Sequence, residues 1–354
     1  MIRGLDRLLE GHGQPGLTEL CGLLEQLLDG RNVDGCLVEQ TMLQPRSSRV
    51  FRLRFDVEGR TRRMIVKRLS PAIARRSELV DKRWLPAVGM SDHGPALLGS
   101  VAERGGSCVW HVYDDLGSCE LDGSSVDRER VSAAIELIAR LHTRFARHPL
   151  LGEVRLHGGD LGIHFCEANV RDARYALEGC RPAPEHAELH NRLLQRVDNL
   201  RRELPHRAQA IDRFGGPETL LHGDLWAINV FVIPTSSGLH ARLIDWDHAA
   251  VGPASYDLST FLLRLPPADR LWVLELYRGE TSDAGWRLPP IPELNSLFET
   301  AEYARMANRL IWPAIAVAQD HAPWGWEALA EVDQWFENLE TVLPCEKRMQ
   351  AATS

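Results

Sequence analysis

The sequence predicts an α+β chain in two lobes: a small lobe with a β-sheet and one helix over residues 1–113, and a larger, mostly helical lobe over residues 114–354. Three observations predict it. Phe51, Leu53, Phe55 and Val57 alternate with Arg52, Arg54, Asp56 and Glu58, the two-residue period of a half-buried strand. From residue 127 onward, apolar residues recur mainly at three- and four-residue steps, the spacing of amphipathic helices. Interrupting those helices, a segment rich in Asp and Asn lies at the edges of two short apolar runs.

The elements follow in order. Leu5, Leu8 and Leu9, then Leu17, Leu20, Leu23, Leu24, Leu27 and Leu28, have helical spacing interrupted by Gly13, Pro15 and Gly16, so two short helices precede the sheet. The strand pattern of residues 36–69 contains a turn at Glu58-Gly59 before Met64-Ile65-Val66-Lys67. Ser70 suits an N-cap and Pro71 the first helical position, so a helix starts there and Pro86 stops it. Val109 to Tyr113 is a further strand. Residues 127–147 form an amphipathic helix with Val131, Ile135, Ile138, Leu141 and Phe145 toward a core, and His142 reads as a packed or surface histidine. Residues 150–215 form a helical insertion, in which Leu189, Leu193, Val197, Leu200 and Leu204 keep helical spacing until Pro205 ends the helix. After Asp257 the chain is helical again and holds six of the ten tryptophans, most of them core and one or two available to wall a pocket.

Composition bounds the function. Hydrophobic content of 44% and charged content of 25% are those of a soluble globular protein, and no run of eighteen apolar residues could span a membrane. The start, Met1-Ile2-Arg3-Gly4-Leu5-Asp6, lacks the apolar stretch of a signal peptide, so the expected location is cytoplasmic. Seven scattered cysteines without a Cys-x-x-Cys pair suggest neither a disulfide framework nor a zinc site. His186 and His190 have helix-face spacing but no third ligand nearby, and read as a solvated helical face. Net charge is −8, and residues 251–354 hold fifteen Asp or Glu against eight Lys or Arg. That balance argues against a nucleic-acid partner. It leaves room for a cationic small molecule, with Glu299, Glu302, Asp320 and Glu327 as contacts, or simply coats helices for solubility.

The chemistry concentrates in Leu221-His222-Gly223-Asp224-Leu225-Trp226-Ala227-Ile228-Asn229-Val230 and, fifteen residues beyond Asn229, the segment around Leu243-Ile244-Asp245-Trp246-Asp247. Moving a phosphoryl group to a hydroxyl requires a carboxylate to orient the hydroxyl and take its proton, and a divalent cation to neutralise phosphate oxygens. Asp224 can supply the first. Asn229 and Asp245 supply hard oxygens, the donors magnesium prefers. Ile228 and Val230 to Ile233 read as a strand, Pro234 to Gly238 as a turn and Leu239 to Ile244 as the returning strand, a hairpin that brings Asn229 and Asp245 side by side.

With His-Gly-Asp, Asn five residues after that Asp, Ile244-Asp245-Trp246-Asp247 and then Gly252-Pro253-Ala254-Ser255-Tyr256-Asp257-Leu258, the sequence resembles the aminoglycoside phosphotransferase and choline-kinase-like branch of the protein-kinase-like fold. The resemblance implies a bilobal protein-kinase-like fold and transfer of the γ-phosphoryl group of ATP, with magnesium, to the hydroxyl of a small molecule. It implies that Asp224 is the catalytic base, that Asn229 and Asp245 hold magnesium, and that His222 and Asp257 brace the loop. It also implies that Lys67, ending an apolar strand, holds nucleotide phosphates in an ion pair with Glu78, which lies six residues before Trp84-Leu85. The phosphate-covering loop falls at Gln44-Pro45-Arg46-Ser47-Ser48-Arg49. It has no glycine, so Ser47, Ser48 and backbone amides would make the contacts, with Arg46 or Arg49 adding charge. Asp114-Asp115-Leu116-Gly117 is similar to the family's acidic hinge. Adenine would bond to main-chain groups from Tyr113 and Asp114 to Leu116, which leaves ATP against GTP open.

An upstream segment, Leu156-His157-Gly158-Gly159-Asp160-Leu161, is superficially alike but has Phe165 where Asn is needed, and reads as a loop. Protein-kinase activity is disfavoured, because Gly252-Pro253 follows Asp245 too closely for an activation segment and no Asp-Phe-Gly is present. Within the resemblance the acceptor could be an aminoglycoside or other antibiotic, choline, ethanolamine, homoserine, a sugar or a fructosamine. A catalytically silent nucleotide-binding protein on the same fold is the alternative, and the joint presence of Lys67, Glu78, Asp224, Asn229 and Asp245 speaks against it. The acceptor and the oligomeric state stay open.

Overall fold

The computed structural model describes residues 2–9, 13–29, 32–43 and 49–344. In chain order these form β1 (Ile2–Arg3), α1 (Leu17–Leu27), β2 (Gly35–Met42), β3 (Val50–Val57), β4 (Arg60–Leu69), α2 (Pro71–Leu79), α3 (Leu85–Ala87), β5 (Leu97–Ala102) and β6 (Val109–Asp114). There follow α4 (Arg128–Phe145), α5 (Leu151–Gly158), α6 (Ile163–Glu178), α7 (Ala187–Phe214), β7 (Glu218–Leu221), β8 (Val230–Thr235), β9 (Gly238–Leu243) and β10 (Ala250–Pro253). Four helices close the chain: α8 (Ser255–Leu263), α9 (Arg270–Ser282), α10 (Ile291–Asp320) and α11 (Pro323–Asn338).

These elements divide into two compact units, Met1–Leu121 with Asn229–Ala249, and Asp122–Ile228 with Ala250–Ser354. The first is the sheet unit. Its six strands run in the order β1-β2-β3-β4-β6-β5, antiparallel except for the β1–β2 pair. Phe51, Leu53 and Phe55 of β3 are buried on one face with Met64, Val66, Trp110 and Val112, and α1 covers them with Leu20 and Leu24. The predicted alternation is therefore the one the sheet uses. β3 and β4 are joined through Glu58 and Gly59 at φ 51° and 74°, the two positive angles of a tight hairpin turn. The unit extends past residue 113 and takes in the β8–β9 hairpin, because Leu121 N–H donates to Val230 O (2.8 Å) and Val232 N–H to Cys119 O (2.8 Å).

Two helical expectations here are corrected. Leu5–Arg7 makes only a 3₁₀ turn, since Gly4 at φ 87° leaves too short a run before the next break for an α-helix to nucleate. The helix begun at Pro71 does not stop at Pro86. It widens into a π turn over Val80–Trp84 and carries Pro86 within α3, the wider turn accommodating a residue with no N–H to give.

The second unit is helical, with β7 and β10 as a two-stranded antiparallel ribbon. α10 packs against α6, α7, α8 and α11 over a core that includes Val170, Leu177, Leu193, Val197, Ala307 and Leu310. α7 runs on to Phe214 with Pro205 inside it. Pro205 is exposed, so water can satisfy the carbonyl it strands, and buried Arg207 ties both sides of the break by bonding Glu203 (3.1 Å) and Thr300 Oγ1 (3.0 Å). Leu156–Gly158, expected as loop, ends α5, and Asp160 beyond it is held by Arg155 Nε (2.9 Å) and Gly162 N–H (2.7 Å). His186 stacks on Trp326 (4.6 Å between centroids) and buried His190 bonds Leu177 O (2.9 Å), so that pair is packed rather than solvated.

Candidate active site

In the sheet unit, Lys67 lies on β4 opposite His111 of β6, its side chain 13% exposed. Its ammonium is 2.6 Å from Asp245 and 2.8 Å from Asp247. The sequence brings both carboxylates to one nitrogen through local geometry. Asp245 has left-handed backbone (φ 64°) and a 3₁₀ turn over Trp246–His248 follows, so the chain doubles back. Buried Trp246 anchors the turn by donating from Nε1 to Leu243 O (3.0 Å), and Arg76 bonds Asp247 O. Burial alone would lower the Lys67 pKa, but Asp245 and Asp247 outweigh it and hold the value above the ordinary one. Asp247 is raised, by burial and by Asp245, against the pull of Lys67.

The expected Lys67–Glu78 ion pair is not formed. Glu78 instead faces His111 Nε2 (3.5 Å), and the other imidazole nitrogen, Nδ1, pairs with Tyr113 OH (2.8 Å). The imidazole opposite Lys67 thus occupies Glu78, while Asp245 and Asp247 satisfy the lysine. Burial pushes His111 down to about 4, with Glu78 opposing, and pushes Tyr113 well up, with Asp247 and Asp245 adding to the rise. Tyr113 pairs in the ladder with Ile65, and Asp114 closes β6 by donating its N–H to Ala96 O (2.9 Å). Just beyond, Asp115 accepts from Arg52 Nη2 (3.1 Å) and Gly117 N–H (3.1 Å), which pins the expected hinge segment.

The hairpin delivers what its spacing predicts. Val230 pairs with Leu243, and Ile244 N–H donates to Asn229 O (3.0 Å), so buried Asn229 and Asp245 leave the same end of the ribbon. As donors they fit magnesium, an amide oxygen and a carboxylate, for an ion that keeps waters and nucleotide phosphates as its other ligands. Among the described residues no group of three or more His, Cys, Asp or Glu forms a metal cluster. Ser47 and Ser48 lie outside the described residues.

In the helical unit, the loop carrying Asp224 is clamped by a fully buried carboxylate. Asp257, in the first turn of α8, accepts the N–H of His222 (2.7 Å) on one oxygen and the N–H of Gly223 (2.9 Å) on the other. Gly223 takes φ 81°, a turn that suits glycine, and Asp224 N–H then points to His222 Nδ1 (3.4 Å). Behind the clamp, buried His142 of α4 places Nε2 3.4 Å from Asp257 and Nδ1 2.9 Å from Tyr277 OH. Burial would raise the Asp257 pKa, but His142, His222 and the Gly223 N–H prevail and hold the carboxyl below its usual value.

Three participants were not assigned from sequence. Asp247 stands in the quoted motif, and its signal was a second carboxylate two residues after Asp245. His142 lies on the buried stripe of α4, four residues after Ile138, where a polar side chain must find partners. Arg264, at the end of α8, stacks its guanidinium over Trp226 with 3.7 Å to the ring centroid, and nothing local in sequence announces it. Of the acidic residues set aside for a cationic acceptor, Glu302 is buried against Arg305 and Ser259 Oγ (2.9 Å).

Comparison with known proteins completes the assignment. The sequence matches the profile of the phosphotransferase enzyme family over residues 43–290, more than half of its 354 residues. None of the curated proteins compared with it matches. Among solved structures, it is similar to spectinomycin phosphotransferase in complex with ADP and spectinomycin, at TM-score 0.55 and 12% identity, covering 90% of this chain and 95% of that one. It is also similar to an ethanolamine kinase of Plasmodium vivax, at TM-score 0.53 and 12% identity over 95% of this chain and 93% of that one. A choline kinase from Streptococcus pneumoniae matches at TM-score 0.52 and 12% identity over 91% of this chain and 100% of that one. The structural likenesses carry the fold, an α+β protein-kinase-like one, and the sequence match carries the family: the chain belongs to the phosphotransferase enzyme family.

Proposed function

We propose that this protein transfers the γ-phosphoryl group of ATP to a hydroxyl of a small molecule, with Asp224 as the base. The observation that carries the reading is the clamp on the loop: two successive N–H groups, of His222 and Gly223, are fixed by one buried carboxylate, so the residue that follows them is presented on a rigid turn. In the reaction the acceptor oxygen forms a bond to the γ-phosphorus, the bond from that phosphorus to the bridging oxygen of ADP breaks, and the hydroxyl proton passes to Asp224. His222 acts by shaping the loop. Lys67, kept cationic by its carboxylate neighbours, holds the nucleotide phosphates, and Tyr113 and Asp114 begin the main-chain segment for the base.

Asn229 and Asp245 would hold magnesium, which when bound neutralises charge on the phosphate oxygens. Asp245→Ala is therefore expected to abolish the magnesium-dependent part of the thermal stabilisation by ATP while leaving the fold intact. The measurement is a melting curve with ATP, with and without magnesium, and an undiminished magnesium increment in the variant would remove Asp245 from the role. The six described cysteines are all free thiols, and among the described residues no helix is long and apolar enough to cross a membrane. Free thiols and dependence on ATP suit the cytoplasm.

A further inference from the structure

Resting on the phosphotransferase reading, we infer that the acceptor is an anion, a hydroxylated small molecule that also carries a carboxylate or phosphate, and that Arg264 is the residue that selects it. Four observations on the helical unit support this.

First, Arg264 is placed beside the base by direct contact with its loop. The guanidinium lies over the indole of Trp226, and the main-chain N–H of Trp226 donates to Asp224 O (2.9 Å). Trp226 is 38% exposed, so this stacked pair forms an open edge of the loop rather than part of the core. Second, the guanidinium is preorganised and unspent. Stacking fixes its plane, yet among the described residues it makes no hydrogen bond and no ion pair, leaving a fork of N–H donors suited to a planar or tetrahedral anion. The backbone is fixed as well: Gly123 passes so close that an added Cβ would sit 2.6 Å from Arg264 O.

Third, the carboxylate that acts most strongly on Arg264 is committed to another partner. The charges that act most on Arg264 are Glu302, Arg305, Asp224 and Arg309. Glu302 and Arg305 neutralise one another, and Arg305 also stacks on Tyr256 at 3.8 Å. Glu302 is therefore spent on Arg305, and the Arg264 guanidinium is left as a cation that an anion can satisfy. Fourth, Arg264 departs from its ordinary value in the direction this picture requires. Partial burial lowers its pKa, and Arg305 and Arg309 lower it further against Glu302 and Asp224. A cation in such surroundings gains from an anionic ligand. A position at the end of α8 also suits an arginine electrostatically, but dipole capping alone gives no ligand selectivity.

The test uses the full chain and three ligands alike in size and hydroxyl content: gluconate, glucose and glucosamine. Binding is measured by calorimetry at pH 7 in the presence of saturating MgADP, and MgATP affinity is measured on the same preparations. The expected order is gluconate, then glucose, then glucosamine, with at least about tenfold between the ends. Arg264→Glu reverses that order, and Arg264→Lys preserves it with weaker gluconate binding, while MgATP affinity is unchanged in both. Tightest binding of glucosamine, no binding of any of the three, or an order unmoved by Arg264→Glu overturns the inference. So does a variant that loses MgATP instead, since the arginine would then serve the nucleotide. Failure of the wild-type chain to bind MgATP would instead strike at the phosphotransferase reading itself.

Discussion

Asp224→Ala is expected to lower turnover by about 10²- to 10⁴-fold, the range attributable to a positioned general base, on whichever acceptor the wild-type chain phosphorylates. The expected loss is confined to chemistry. Asp224 carries none of the lysine, amide or main-chain groups assigned to the nucleotide, so affinity for MgATP should be that of the wild type. ADP release across sugars, sugar acids, amino alcohols and aminoglycosides reads the first quantity, and titration with MgATP the second. Asp224→Asn keeps the shape and hydrogen-bonding reach but cannot accept the proton, and should fall as far as the alanine variant. Full activity in the asparagine variant would show that the residue orients the hydroxyl without taking its proton.

Asp257→Ala is expected to produce the largest loss of stability of any single substitution in the loop region, about 3–5 kcal/mol. The carboxylate is fully buried and serves three donors at once: two loop N–H groups and, at 3.4 Å, His142. Removing it leaves those donors in a site water does not reach, where each unmade bond costs about 1–3 kcal/mol. Urea denaturation measures the difference. The same residue sets a pH dependence. Its carboxyl titrates below the usual value in the folded chain, so its contribution is fully present above the unfolded-state value of about 4 and is lost as pH falls through the folded one. The gap between wild type and Asp257→Ala should therefore narrow on acidification below that point. A gap constant to the lowest measurable pH would mean that the carboxyl contributes no charge-dependent stability.

How much of this was legible in the sequence depended on whether the information was local. The alternation in β3, the start of α2 at Pro71 and the β8–β9 hairpin with Asn229 and Asp245 at one end are written in neighbouring residues, and the structure repeats them, although Ser70 makes no side-chain cap bond to α2. The Asp224 loop was legible because its residues recur at fixed spacing. Long-range choices were not. Lys67 had three carboxylates to choose from, and its place opposite His111 decided in favour of Asp245 and Asp247 over Glu78. Pro205 failed as a helix breaker because it lies on the solvent side of α7, with Arg207 bonded across the break. His142 owes its importance to a partner 115 residues away and Arg264 to one that lies before β8, β9, β10 and α8, which no local pattern encodes.

The lysine that holds those carboxylates has a consequence for the order in which the protein is made. Lys67 and Asp245 are 178 residues apart, and the sheet unit that contains them is discontinuous, interrupted by Asp122–Ile228. A ribosome that has released only the first 121 residues has made the six-stranded sheet but neither carboxylate for its buried ammonium and no Asn229. The cation must stay hydrated or uncharged until the hairpin arrives. Closing so long a loop is entropically the most expensive step in assembling this unit, so nucleotide binding should appear late in refolding, after the helical circular dichroism signal is complete.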